Sequence, residues 1–150
     1  MTIDIFWQNF LAQANLPKDT TYYESSYFGV DGDMADSLLA LVLSGQKRAT
    51  ASCLRAYEAE GSKQPQIGDY SIITDWHGTP HCVIQTTDIT IIPFNEMTYD
   101  IAKREGEDDC LETWLDNHRY CFTLEGQELG FEFTEDMLVL FEDFQVVYQP

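Results

Sequence analysis

Four of the eight basic residues, Lys47, Arg48, Arg55 and Lys63, fall within seventeen positions, whereas no lysine or arginine occurs between Gln64 and Ala102 or after Arg119. Such clustering gives an acidic chain one patch of positive potential. It suits a single phosphate or polar ligand, because attraction at contact outweighs repulsion from charges beyond a screening length of about 8 Å. A long phosphate track does not fit it. Arg48 can also complement the negative end of a preceding helix, a contribution of a few tenths to ~1 kcal/mol. Arg55 and Tyr57 place a guanidinium and a phenol ring together, a pair able to grip a phosphate or stack on a base. The alternative is an Arg55 ion pair with Glu58 or Glu60 and a tyrosine packed at a rim.

Trp114, His118 and Phe122 recur at helical spacing, and such a stripe normally packs into a core. Trp114 and Phe122 are read that way. His118 is read as an imidazole at a helix seam, a position that also permits assistance in proton transfer. His77 and His81 flank a Gly-Thr-Pro turn beside Cys82, but no acidic or thiol partner completes a metal-ligand spacing. Neither a metal nor a cofactor is expected.

The elements that must position these groups are bounded first by composition. The chain has 150 residues, 44% hydrophobic and 13% aromatic, enough apolar material for one globular domain. Against 8 Lys+Arg stand 26 Asp+Glu, a formal net charge of -18. That balance repels polyphosphate and excludes a general duplex-DNA binder. No stretch reaches the ~20 apolar residues of a membrane span, and the opening MTIDIFWQNF lacks the basic start of a signal peptide, so the expected location is cytoplasmic. Cys53, Cys82, Cys110 and Cys121 form no CxxC pair and are read as reduced thiols, mostly packed. The acids Glu125, Glu128, Glu132, Glu135 and Asp136 are read as a solvated face.

Ile3, Phe6, Phe10 and Ala14 define an amphipathic first helix over 3–15. A second helix lies in MADSLLALVLSG, with Asp33 as N-cap, Gly45 as its stop and Leu38, Leu41 and Val42 as the core face. YEAEGSKQPQIGDY reads as a loop. YSIITD, HCVIQTTDITII and MLVLFEDFQVVY read as strands, the first two joined by a hairpin at WHGTP. Helical patterns fill Tyr99–Glu105 and Leu111–Leu129. Without regular βαβ alternation, the architecture expected is α+β: a small mixed or antiparallel β-barrel with flanking helices.

After the second helix comes SGQKRAT, in which Gly45, Lys47 and Thr50 resemble the G-x-K-x-x-T signature of the ASCH domain. IGDY, AKREGE and the closing MLVLFEDFQVVY agree in order and spacing with the larger bacterial members, so the likeness covers about 28–148. It implies a barrel related to RNA-binding PUA domains, with a cleft beside the Gly-Lys loop. Small members of the family resemble an amidohydrolase acting on N(4)-acetylcytidine, and others are ribonucleases or RNA-binding modules. Carried over residue by residue, the likeness makes Thr50 the nucleophile, Lys47 its base and Glu105 the acid that orients a partner or shuttles a proton. Lys47 then needs a lowered pKa, through burial or through a neighbouring Arg48 or Arg55. It must also precede the strand, because strand positions three apart face opposite ways. The partner expected is a nucleoside-like molecule or a short RNA. A non-catalytic ligand sensor is the third possibility.

Overall fold

In a computed structural model covering residues 1–150, the opening apolar stripe forms α1 (Ile3–Ala14), capped by Thr2, whose hydroxyl accepts from the Ile5 amide. Strand β1 (Glu24–Ser26) follows, then α2 (Gly32–Ser44). The structure caps α2 at Asp31 rather than Asp33. There the backbone is extended, so the Asp31 carboxylate reaches the Met34 amide at 2.8 Å, while Asp33 stands in the first turn. Gly45 ends α2 in the left-handed region at φ 85°.

Beyond it come β2 (Ala49–Cys53), α3 (Leu54–Glu60), β3 (Tyr70–Thr74), β4 (Pro80–Pro93), α4 (Tyr99–Ala102), a 3-10 turn (Lys103–Glu105), α5 (Leu111–Leu129) and β5 (Leu138–Tyr148). Helix α3 occupies part of the segment read as a loop. Its Leu, Ala, Arg and Glu residues are strong helix formers, and Gly61 supplies the left-handed stop.

The five strands form one sheet in the order β1-β3-β4-β5-β2, with β1 and β3 parallel and every other pair antiparallel. It curls into a half-barrel, in keeping with the expected mixed barrel. Alternation along the strands assigns the helices to opposite faces. Ile72 and Val83 pack under Phe6, Trp7, Phe10 and Leu11 of α1. Their neighbours Ile73, Cys82 and Ile84 pack under Leu39 and Val42 of α2. The core face of α2 is therefore turned from the expected one: Leu39 is buried, and Leu38 reaches a cavity wall. Helix α5 buries Trp114 and Phe122 against Ala49, Cys53, Val139 and Phe141. No helix is long and apolar enough to cross a membrane.

Two connecting segments are fastened directly to one another. The Gln46 side chain donates to the Gly106 carbonyl at 2.7 Å, and the Arg48 amide donates to the Arg104 carbonyl at 3.1 Å. Gly106 has φ 72°, and a Cβ built on it would lie 2.2 Å from the Gln46 carbonyl oxygen. Both constraints demand glycine. Gly106→Ala should therefore destabilise the fold by about 1–3 kcal/mol. A chemical-denaturation midpoint equal to that of the unaltered protein would show that the two segments are not in this close contact.

Candidate functional site

Because α2 stops at Gly45, Lys47 lies in the connection before β2, and its amide donates to the Leu41 carbonyl at 3.0 Å. This places its side chain inside the molecule, 1% exposed. Its ammonium donates to the Ala49 carbonyl at 2.8 Å, to Glu105 Oε2 at 3.0 Å and to Glu107 Oε2 at 2.5 Å. All three N–H bonds are thereby engaged. The Phe28 ring covers the group at 5.0 Å.

Glu105 closes the 3-10 turn and is 2% exposed. Its second oxygen accepts from Trp114 Nε1 at 2.8 Å and pairs with His118 Nε2 at 2.9 Å. The other ring nitrogen of His118 stands 2.8 Å from the Trp114 carbonyl, and its ring stacks on Trp114 with centroids 3.9 Å apart. Successive turns of α5 place Trp114 and His118 on the same side.

Burial alone would raise the Glu105 pKa, but the Lys47 and His118 charges outweigh it and hold the carboxyl well below the usual range. Burial would likewise loosen the Lys47 proton, yet the two carboxylates reverse the direction and raise its pKa. For His118 burial favours the neutral ring, and Glu105 again tips the balance upward. Glu107 behaves differently. Burial, with the Glu105 charge added, overcomes Lys47 and pushes its carboxyl up to about 7.

Lys47, Thr50, Glu105, Glu107 and His118 all line one cavity of about 890 Å³ beside β2, one of the two edge strands. Along β2, Ala49 and Cys53 are buried in the core while Thr50 and Ser52 reach the cavity wall. The structure thus brings together the three residues of the carried-over motif. The charge surrounding Lys47 is the reverse of the one expected. Arg48 is exposed outside the cavity lining, and Arg55 lies on the surface 3.6 Å from Glu58, its side chain 57% exposed. Tyr57 is half-buried, its hydroxyl pushed up to about 12 chiefly by burial, and it too lies outside the lining. The three ligand candidates are therefore not gathered at the cavity. Two carboxylates occupy the place where an arginine would have lowered the lysine pKa.

Glu107 was missed as a functional group, although AKREGE contains it. The turn at Gly106 carries the chain back so that both glutamates reach one ammonium. Glu125 and Glu128, read from sequence as solvated, also line the cavity. Burial, followed by the charges of Glu60 and Glu128, pushes Glu125 up to about 6. Aromatic rings form another part of the wall. Tyr27 and Trp76 meet there with centroids 4.7 Å apart, each about two-fifths exposed.

The raised Glu107 pKa makes a stability prediction. Between an ordinary 4.5 and about 7, the folded chain retains a proton that the unfolded chain has lost, so this group's effect is to lower stability as pH rises. Glu107→Gln removes that effect. Its denaturation midpoint should fall less between about pH 5 and about pH 7.5 than that of the unaltered protein. Equal falls would mean that Glu107 does not titrate in this window.

The ASCH domain family model matches residues 24–148. Among solved structures, a protein from Enterococcus faecalis V583 is 35% identical, with TM-score 0.89 over 97% of this chain and 87% of that one. An ASCH domain from Lactobacillus crispatus JV V101 is also 35% identical, with TM-score 0.86 over 97% of this chain and 93% of that one. A hypothetical protein at 14% identity and TM-score 0.54, covering 85% of this chain and all of that one, shares the fold alone. No curated protein matches the chain. With the matched segment spanning most of the molecule, and the Gly-Lys connection and its facing turn inside it, this chain belongs to the ASCH domain family.

Proposed function

We propose that the cavity hydrolyses the amide of an N-acylated nucleoside. The observation that carries this reading is the shared enclosure of a hydroxyl, an ammonium and two carboxylates of unlike proton affinity: Thr50, Lys47, Glu105 and Glu107. Groups whose surroundings drive their pKa values apart divide acid and base duties. Glu105 is the fixed anion. Glu107, with a pKa close to neutral, is the group that takes and returns a proton.

As an ammonium donating to three acceptors, Lys47 has no lone pair with which to act as a base. Transfer of one proton to Glu107 supplies it. The neutral amine then accepts the Thr50 hydroxyl proton as that oxygen attacks the acyl carbon. The amide C–N bond breaks, the departing exocyclic amine of the base takes the proton from Glu107, and the acyl group remains as a Thr50 ester. Lys47 again passes a proton to Glu107 and takes one from the water that attacks the ester; the Thr50 oxygen leaves with the Glu107 proton, which releases a carboxylic acid and restores Thr50.

Charge favours a free nucleoside over RNA. The cavity wall bears Asp31, Glu125 and Glu128, and its lysine has no donor left for a phosphate. Arg48 and Arg55 lie elsewhere. A planar base finds stacking partners in Tyr27, Phe28 and Trp76. All four thiols are free, which suits the reducing cytoplasm.

The test is a screen of N-acylated nucleosides, N(4)-acetylcytidine first, for released carboxylic acid. Thr50→Val and Lys47→Gln should each lower kcat/KM by roughly 10²–10⁴-fold. Full activity in either variant removes that residue from the mechanism. Affinity for the nucleoside should stay level as salt rises, whereas an RNA ligand would lose affinity with a log–log slope of about -0.7 per neutralised phosphate. A steep slope with a short single strand, and no hydrolysis, would establish an RNA-binding module instead.

A further inference from the structure

The mechanism above uses Lys47, Thr50, Glu105 and Glu107; of the cavity's other titratable groups, His118 is the one in contact with this set. His118 has a side chain 11% exposed and makes two polar contacts, one from each ring nitrogen. The contact to the Trp114 carbonyl at 2.8 Å requires Nδ1 to carry hydrogen, because a carbonyl oxygen only accepts. Nε2 stands 2.9 Å from Glu105, whose carboxylate already accepts from Lys47 and Trp114; a ring lone pair facing that oxygen would be repelled, so this nitrogen carries hydrogen as well. Hydrogen on both nitrogens makes the ring an imidazolium. Stacking on Trp114 and edge contact with Phe122 fix its plane.

We infer that His118 is a positioning residue whose imidazolium charge sets how readily the Lys47 proton moves to Glu107. The inference deepens the amidohydrolase reading and rests on it for its catalytic consequence. The charged groups facing the ring are Glu105 from the 3-10 turn, Glu107 from the segment after it and, across Glu105, Lys47 from the connection before β2.

With the imidazolium present, these four groups carry two positive and two negative charges, and the total stays neutral after the proton passes from Lys47 Nζ to Glu107 Oε2. A neutral ring would leave one net negative charge enclosed throughout. That excess holds the lysine proton more firmly and raises the affinity of Glu107 for a proton from solvent, which leaves it unable to take the one on Lys47. Glu105 would also face a neutral lysine with no counter-charge, which a buried carboxylate resists strongly. His118 removes that obstacle without touching the substrate's reacting atoms.

The test follows the Glu107 carboxyl by ¹³C NMR across pH, assigned with Glu107→Gln, in the full chain and in His118→Gln. Glutamine can still donate to Glu105 but carries no charge. The Glu107 midpoint is expected to rise by about half a unit or more in His118→Gln, since coupling between two titrating groups is reciprocal. In the unaltered protein, ¹⁵N shifts should show both His118 nitrogens protonated near pH 7, whether or not the variant folds. An unmoved Glu107 midpoint, or a neutral ring near that pH, overturns the inference irrespective of any hydrolysis.

Where the unaltered protein cleaves an acylated nucleoside, kcat in His118→Gln should drop roughly tenfold with KM retained, and the alkaline fall in activity should lose the step due to His118. Identical pH profiles would equally overturn the assignment. Failure of the unaltered protein to cleave any acylated nucleoside would count against the enzymatic reading alone, since the NMR measurements decide the charge of His118 independently.

Discussion

The ammonium of Lys47 is held 3.0 Å from Glu105 and 2.5 Å from Glu107, in a place from which water is almost wholly excluded. An unpaired charge there would be strongly destabilising, so the segments that carry its partners cannot drift. This accounts for the close fastening of the Gly45–Arg48 connection to the turn around Gly106, and for α5 presenting an indole and an imidazole to the same carboxylate. The half-barrel supplies the frame, and the buried ion pairs fix where its connections lie. Mutual dependence of this kind also sets the proton affinity of each member. Of the two carboxylates Glu105 is the less able to accept a proton and Glu107 the more able, although only Gly106 separates them in sequence.

Much of the architecture could be read from local pattern. Alternating β-branched residues marked the three long strands, and Gly45, Gly78 and Pro17 marked ends and turns. Helix α3 was hidden because Gly61, Pro65 and Gly68 follow within a few residues and give the whole stretch a loop-like composition. The register of the α2 face was missed because Leu38, Leu39 and Leu41 are chemically equivalent. Only the position of the sheet decides which of them is covered.

At the site, the residue types were legible and their electrostatics were not. Gly-x-Lys-x-x-Thr announced the lysine and the hydroxyl, while the charge of their surroundings depends on contacts 58 and 60 positions away. Basic residues adjacent in sequence suggested a lysine among arginines. In three dimensions Arg48 and Arg55 face outward and the acids face in. Likewise, Glu125 resembled its solvated neighbours in composition, yet its place on α5 turns it toward the cavity wall. Periodicity identifies an exposed face only when what packs against that face is known.

The two sides of the cavity are built from different parts of the chain. The ionic set comes from 47–50 and 105–118, cross-tied by hydrogen bonds, whereas Tyr27 follows β1 and Trp76 rides on the β3–β4 hairpin, over Gly32. Neither aromatic ring contributes to the charge network. Replacing Tyr27 or Trp76 would therefore reshape this wall of the cavity without removing a partner of Lys47, so the contour of the hollow and its ionic floor are separable properties of the scaffold.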